Sequence, residues 1–240
     1  MAVNELPNRL ARRLRWQKQA HLLEKQDVVL AKWLPVLRAW QAKRLAASFA
    51  HFMDDARKQP AAAFFLSDLY GDADFMKRDE EAAKILPKMS RLFPESLLTA
   101  AVDAIELSVL SHAIDMRMAR ELHNTGRKPA SLDAELYQRA YRSVGLRRLR
   151  RRQIDLVLDV GSRLDAIVQK HGISKLLSAS RLPARMLGLQ HLQSFLERGF
   201  GAFNHLGGAD DFLDEIHRQE TCIADRLAAG NANPFTPPFS

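Results

Sequence analysis

Residues 95–123 read ESLLTAAVDAIELSVLSHAIDMRMARELH, a run without proline or glycine. Its apolar positions, Leu97, Leu98, Ile105, Leu107, Val109, Leu110, Ile114 and Met118 among them, fall around most of the circumference of a helix. A helix apolar along one stripe packs in one direction, whereas one apolar nearly all round is covered on several sides. The stretch therefore predicts a central helix with others around it. Its polar residues Ser108, His112 and Asp115 lie on adjoining turns and are expected to form a polar network inside the bundle.

The rest of the 240-residue chain agrees with a helical reading. Leu and Ala supply 68 residues against 22 for Val, Ile and Thr, and unbranched side chains lose less rotamer freedom in a helix than β-branched ones. Prolines and glycines punctuate the sequence into predicted helices near 5–25, 27–57, 60–70, 76–93, 95–123, 131–144, 146–171, 173–180, 183–206 and 209–229. Pro35 is a candidate kink in the second, and Gly71, Gly126, Gly172 and Gly207 are candidate stops. In the last helix Phe212, Ile216, Ile223 and Leu227 form one stripe behind an acidic first turn. No run alternates polar and apolar residues as a half-buried strand does. The expectation is an all-α bundle of about eight to ten helices, one domain over 1–230 followed by an extended Pro-rich tail, 231–240.

Composition of 47% hydrophobic and 27% charged residues excludes wholesale disorder and fibrous repeats. The single Cys222 permits no disulfide within the chain and reads as a packed thiol. The opening MAVNELPNRLARRLRW lacks the apolar stretch of a secretory signal, and no stretch suggests a transmembrane segment, so a cytoplasmic protein is expected. The net charge of +8 is distributed as an acidic middle between basic flanks: 59–125 carries seven cations against eleven acids.

Two segments stand out. At 64–79, FFLSDLYGDADFMKRD places Phe64, Phe65, Tyr70 and Phe75 close together, with Asp68, Arg78 and Asp79 among the charged residues between and after them. The simplest account anchors a short helix by its aromatic rings while the acids open the next helix at its positive end; a protein-docking surface is the alternative. The segment resembles the signature of the proteobacterial FFLEELY-motif proteins, an uncharacterised group. Residues 64–66 and 69–70 match it, Asp68 keeps an acid where that motif has Glu, and Ser67 departs from it. The resemblance implies a bacterial cytoplasmic setting and no particular chemistry.

The second segment is GLRRLRRRQIDLVLDVGSRLDAIV, with Arg147, Arg148, Arg150, Arg151 and Arg152 crowded into six positions. On a helix Arg147, Arg148, Arg151 and Arg152 point away from the apolar arc, giving a solvated face on which Arg151 and Asp155 are spaced to pair. Cations at a helix start oppose the macrodipole, so an acidic partner is sought, either in 68–81 or outside the chain. Arginine outnumbers lysine 25 to 11, which suits bidentate pairing with carboxylate or phosphate. Nucleic acid is a weaker candidate because no aromatic lies between 142 and 163 to stack a base.

Catalytic and metal signatures are sparse. Ser108, His112 and Asp115 have the residue types of a triad without its expected geometry. Asp214-x-x-His217 is half of a di-iron pattern, and no Walker or GxGxxG sequence occurs. His191 shares a predicted helix with Phe195, Phe200 and Phe203 and is the candidate ligand for a haem. The sequence favours a non-enzymatic interaction protein that meets another protein or a polyanion through its basic surface and aromatic–acidic motif, with no metal or catalytic site. The alternative is a bundle enclosing haem or a lipid-like ligand against His112, Asp115 or His191.

Overall fold

The computed structural model describes residues 5–69, 81, 95–170, 173–179 and 181–239. Among these residues there are ten α-helices and no strand. They are α1 (Glu5–Gln26), α2 (Val28–Ser48), α3 (Gln59–Phe64), α4 (Glu95–Asn124), α5 (Ala134–Val144), α6 (Arg147–Val168), α7 (Ile173–Ala179), α8 (Arg181–Met186), α9 (Gln190–Leu206) and α10 (Asp210–Ala229). Apart from Glu81, which is helical, the predicted helix at 76–93 and the stops at Gly71 and Gly172 lie outside the described residues. No described helix is long and apolar enough to cross a membrane.

The central helix is α4, which packs against α1, α2, α5 and α6. Ile114, Met116, Met118, Ala119 and Leu122 of α4 enter one core with Leu30, Trp33, Leu34 and Leu37 of α2, Leu136 and Tyr137 of α5, and Ile223 and Leu227 of α10. A second core joins Leu45, Phe49, Phe52, Phe65, Val157, Phe203 and Phe212. The α10 stripe spans both, its first turns in the second core and Ile223 and Leu227 in the first. This is the burial that its spacing predicts.

Local chemistry explains where helices start and stop. Asp27 caps α2 by accepting from the amides of Val29 and Leu30 at 2.9 and 3.2 Å. The helix continues through Pro35 but ends at Ser48, short of the predicted residue 57. A 3-10 turn at Ala50–Met53 follows, and the Asp55 carboxylate then takes the amides of Arg57 and Lys58, which diverts the backbone from helix. The predicted helix 183–206 is likewise two, because Gly188 takes a left-handed φ of +66° between α8 and α9. Helix α3 passes into a π-helical turn, Phe65–Leu69, in which the Ser67 hydroxyl donates to the Ala63 carbonyl at 2.8 Å.

At Gly161, α6 and α10 meet so closely that a Cβ there would sit 2.4 Å from a methyl carbon of Leu213. That approach sets the start of α6 beside the second half of α10. Residues 231–239 lie against the bundle: Phe239 is buried, and the Phe235 ring meets Trp40 at 5.6 Å between centroids.

Candidate functional site

Pairing of α6 with α10 determines where the arginine cluster goes. Arg147 and Arg151 both donate to Asp225, with N–O distances of 3.0–3.1 Å. Arg152 reaches Asp159 at 3.3 Å and Glu106 of α4 at 3.8 Å. Arg148 is exposed and forms no ion pair or hydrogen bond among the described residues. The expected Arg151–Asp155 pair gives way to Arg151–Asp225, and Asp155 instead accepts from His217 at 3.1 Å. Among the described residues, the acids that pair with Arg147, Arg151 and Arg152 come from α10, α4 and α6 itself.

A groove of about 610 Å³ runs beside Asp225, lined by His217, Arg218, Thr221, Cys222, Asp225 and Arg226. Arg218 donates to the Phe239 carbonyl, and Arg226 donates to the carbonyls of Thr236 and Pro238. Among the described residues no carboxylate pairs with either of those two charges. Arg218 and Arg226 thus line the groove, Arg147 and Arg151 reach its edge through Asp225, and Asp155 stands behind His217. The Thr221 hydroxyl at its floor is buried with no hydrogen-bond partner.

A second polar assembly lies where α1, α2 and α4 meet. Arg38 of α2 holds Glu24 of α1 with two N–H donations, 2.8 and 3.2 Å, and donates to Nδ1 of His112 at 2.8 Å. His112 Nε2 and His21 Nδ1 each stand 3.7 Å from Glu24 Oε2. The two imidazole rings are 5.1 Å apart between centroids. Both nitrogens of His21 and Nε2 of His112 are buried and make no close hydrogen bond, with Glu24 facing both rings and the Ala20 carbonyl facing His112.

Burial, reinforced by the Arg38 charge, pulls His112 down to about 4, so the ring is neutral at physiological pH. Burial alone raises the Glu24 carboxyl, but its neighbours His21 and Arg38 outweigh that and hold it at about 2. One turn on, Asp115 accepts from Gln41 at 3.1 Å, and burial pushes its carboxyl up against the opposing charges of Arg150 and Arg38. Ser108 accepts from Gln17 at 3.3 Å. Ser108, His112 and Asp115 are therefore joined to α1 and α2 and not to one another: a polar network without the relay a triad needs.

Of the remaining sequence candidates, Phe64 and Phe65 are buried, Phe64 facing Phe195 at 5.3 Å between ring centroids. Asp68 stands on the π-helical turn. Tyr70, Phe75, Arg78 and Asp79 lie outside the described residues. His191 donates to Glu81 at 2.6 Å. Sequence reading missed His21, Glu24, Arg38 and Asp225. One usable signal was His21-x-x-Glu24, whose spacing sets an imidazole and a carboxylate on one helical face.

A family model described as a domain of unknown function, DUF8198, matches residues 20–234. The chain belongs to that family. No curated protein and no solved structure matches it. The DUF8198 segment contains both the groove beside Asp225 and the assembly of His21, Glu24, Arg38 and His112, while Phe235 and Phe239 fall just beyond it.

Proposed function

We propose that the chain is a non-enzymatic interaction protein whose groove along α10, bordered by arginines of α6, receives an acidic segment of a partner protein. The observation that carries this reading is the imbalance around Asp225, where Arg218 and Arg226 line the groove and Arg147 and Arg151 reach it through Asp225, four guanidinium groups against two carboxylates, Asp225 and Asp155. Exposed ion pairs contribute only about 0–1 kcal/mol each, so incoming carboxylates can displace Asp225 at little cost. Arginine's planar fork suits them. A carboxylate held among the cations disfavours a dense phosphate backbone, and the groove walls include Thr221 and Cys222, which suit a peptide with spaced acids.

The same reading takes the chain for a cytoplasmic bacterial relative of the FFLEELY-motif proteins, supported by the match at 64–66 and 69–70. Anisotropy of a labelled Glu-rich peptide tests the groove, with single-stranded DNA of equal charge alongside. Arg147→Ala with Arg151→Ala should weaken peptide binding about tenfold, or ~1.4 kcal/mol, with the helical circular dichroism unchanged. Tighter binding of the DNA with a steep salt dependence would replace the acidic segment by nucleic acid. Peptide binding unaffected by the two substitutions would remove the groove from the account.

A further inference from the structure

We propose that His21, Glu24 and His112 form a binding site for one late first-row divalent metal ion, zinc foremost. This site is separate from the α10 groove, and neither proposal depends on the other. The donor atoms of these three side chains lie within 4.8 Å of one another. Tetrahedral zinc with bonds of about 2.0–2.1 Å sets its ligand atoms roughly 3.4 Å apart. The 3.7 Å separations of Glu24 Oε2 from His21 Nδ1 and from His112 Nε2 are a few tenths of an ångström from that arrangement.

The spacing of these buried nitrogens from Glu24 is the second observation. His112 is only 8% exposed, and its buried Nε2 makes no close hydrogen bond but stands 3.7 Å from Glu24; His21 Nδ1 stands at the same distance from the same oxygen. Buried polar atoms are hydrogen-bonded in the great majority of cases, and two imidazole nitrogens held 3.7 Å from one carboxylate oxygen, beyond hydrogen-bond reach, suit a shared partner between them. Two imidazoles and one carboxylate suit zinc and its late first-row neighbours, whereas calcium and magnesium favour oxygen ligands throughout. The His21 and Glu24 side chains are 22% and 19% exposed, so the site lies close to the surface on the α1 side.

Arg38 gives the site a distinctive proton arrangement. Its N–H donates to Nδ1 of His112, so in the neutral ring the proton sits on Nε2. A metal at Nε2 moves that proton to Nδ1, where it faces the guanidinium N–H. Metal entry must therefore release Arg38 from His112 while Arg38 keeps its two-pronged hold on Glu24, in the manner of the outer groups that orient ligands at metal sites.

The test uses the purified full chain, stripped with EDTA and titrated with Zn²⁺ or Co²⁺. The expected result is one ion per chain by elemental analysis, the visible absorption of four-coordinate Co²⁺, and a shift of the His112 proton from Nε2 to Nδ1 in long-range ¹H–¹⁵N spectra. His21→Ala and Glu24→Gln should each weaken zinc binding by on the order of tenfold or more. His123→Ala, exposed at the far end of α4, should leave it unchanged. Each variant's metal-free melt shows whether it folds, so loss of binding is read only from folded protein. No retained zinc in the parent chain, or full binding by a folded His21→Ala variant, would overturn the proposal.

Discussion

Replacing Phe65 by alanine distinguishes two uses of the aromatic segment, an anchor in the core and a surface for docking. Phe65 is 7% exposed and packs in the core formed by Phe49, Phe52, Phe203, Leu206, Phe212 and Ile216. Those neighbours come from the 3-10 turn and its flank, α9 and α10, so they cannot all move together into the vacated volume. A buried Phe→Ala change costs about 3–5 kcal/mol when the site collapses only in part. For a chain of this length each kcal/mol lowers the melting temperature by about 2–4 °C, so the variant should melt roughly 6–20 °C below the parent.

Met186 supplies the contrast because it is 79% exposed on α8. Met186→Ala should stay within about 0.5 kcal/mol. The assay is thermal and urea unfolding followed by the helical circular dichroism signal, with the urea slope compared to confirm that the same surface is exposed on unfolding. A Phe65→Ala loss below about 1 kcal/mol would refute the burial argument and restore the docking reading of the motif.

Three further outcomes follow from the packing and the charges. Gly161→Ala places a methyl group against Leu213 and should cost about 1–3 kcal/mol in urea unfolding; a neutral result would show that α6 and α10 have slack where they cross. Asp133 caps α5 through the Leu136 amide at 2.8 Å, so Asp133→Ala should lose about 1 kcal/mol, read from the same unfolding curves. In EDTA-treated protein, the unfolded chain protonates His112 near 6.5 while the folded chain resists until about 4. Stability is therefore whole above pH 6.5 and falls by up to about 3 kcal/mol as the pH drops to 4. Glu24, held at about 2, adds a second loss below pH 4.5. A melt that stays flat from pH 7 to 4.5 would contradict the assignment of His112.

The fold was legible in sequence where the signal lies within one helix. The nearly all-round apolar pattern of α4 and the stripe of α10 both report burial through spacing alone. What escaped sequence reading depends on side chains that override backbone preference, or on partners distant along the chain. Beyond α2 and its 3-10 turn, Asp55 captures two amides and keeps residues to 57 out of helix. Gly188 divides α8 from α9 within a stretch that otherwise reads as helix.

The sites were less legible for the second reason. Arg151 and Asp225 are 74 positions apart, as are Arg38 and His112, and no spacing rule joins them. The cations of α6 were visible as a group that opposes its own helix dipole, but their partners depend on which helix packs alongside. His112 and Asp115 were visible as polar residues in an apolar helix; Glu24, His21 and Arg38 complete their surroundings only once α1 and α2 lie across α4.

Hydrogen–deuterium exchange on the full chain, with and without the Glu-rich peptide, tests the proposed function most directly. The account predicts slowed exchange confined to the start of α6 around 147–152 and to the half of α10 from 217 onward, reduced by Arg147→Ala with Arg151→Ala. Protection elsewhere, with those two stretches unchanged at saturating peptide, would contradict it.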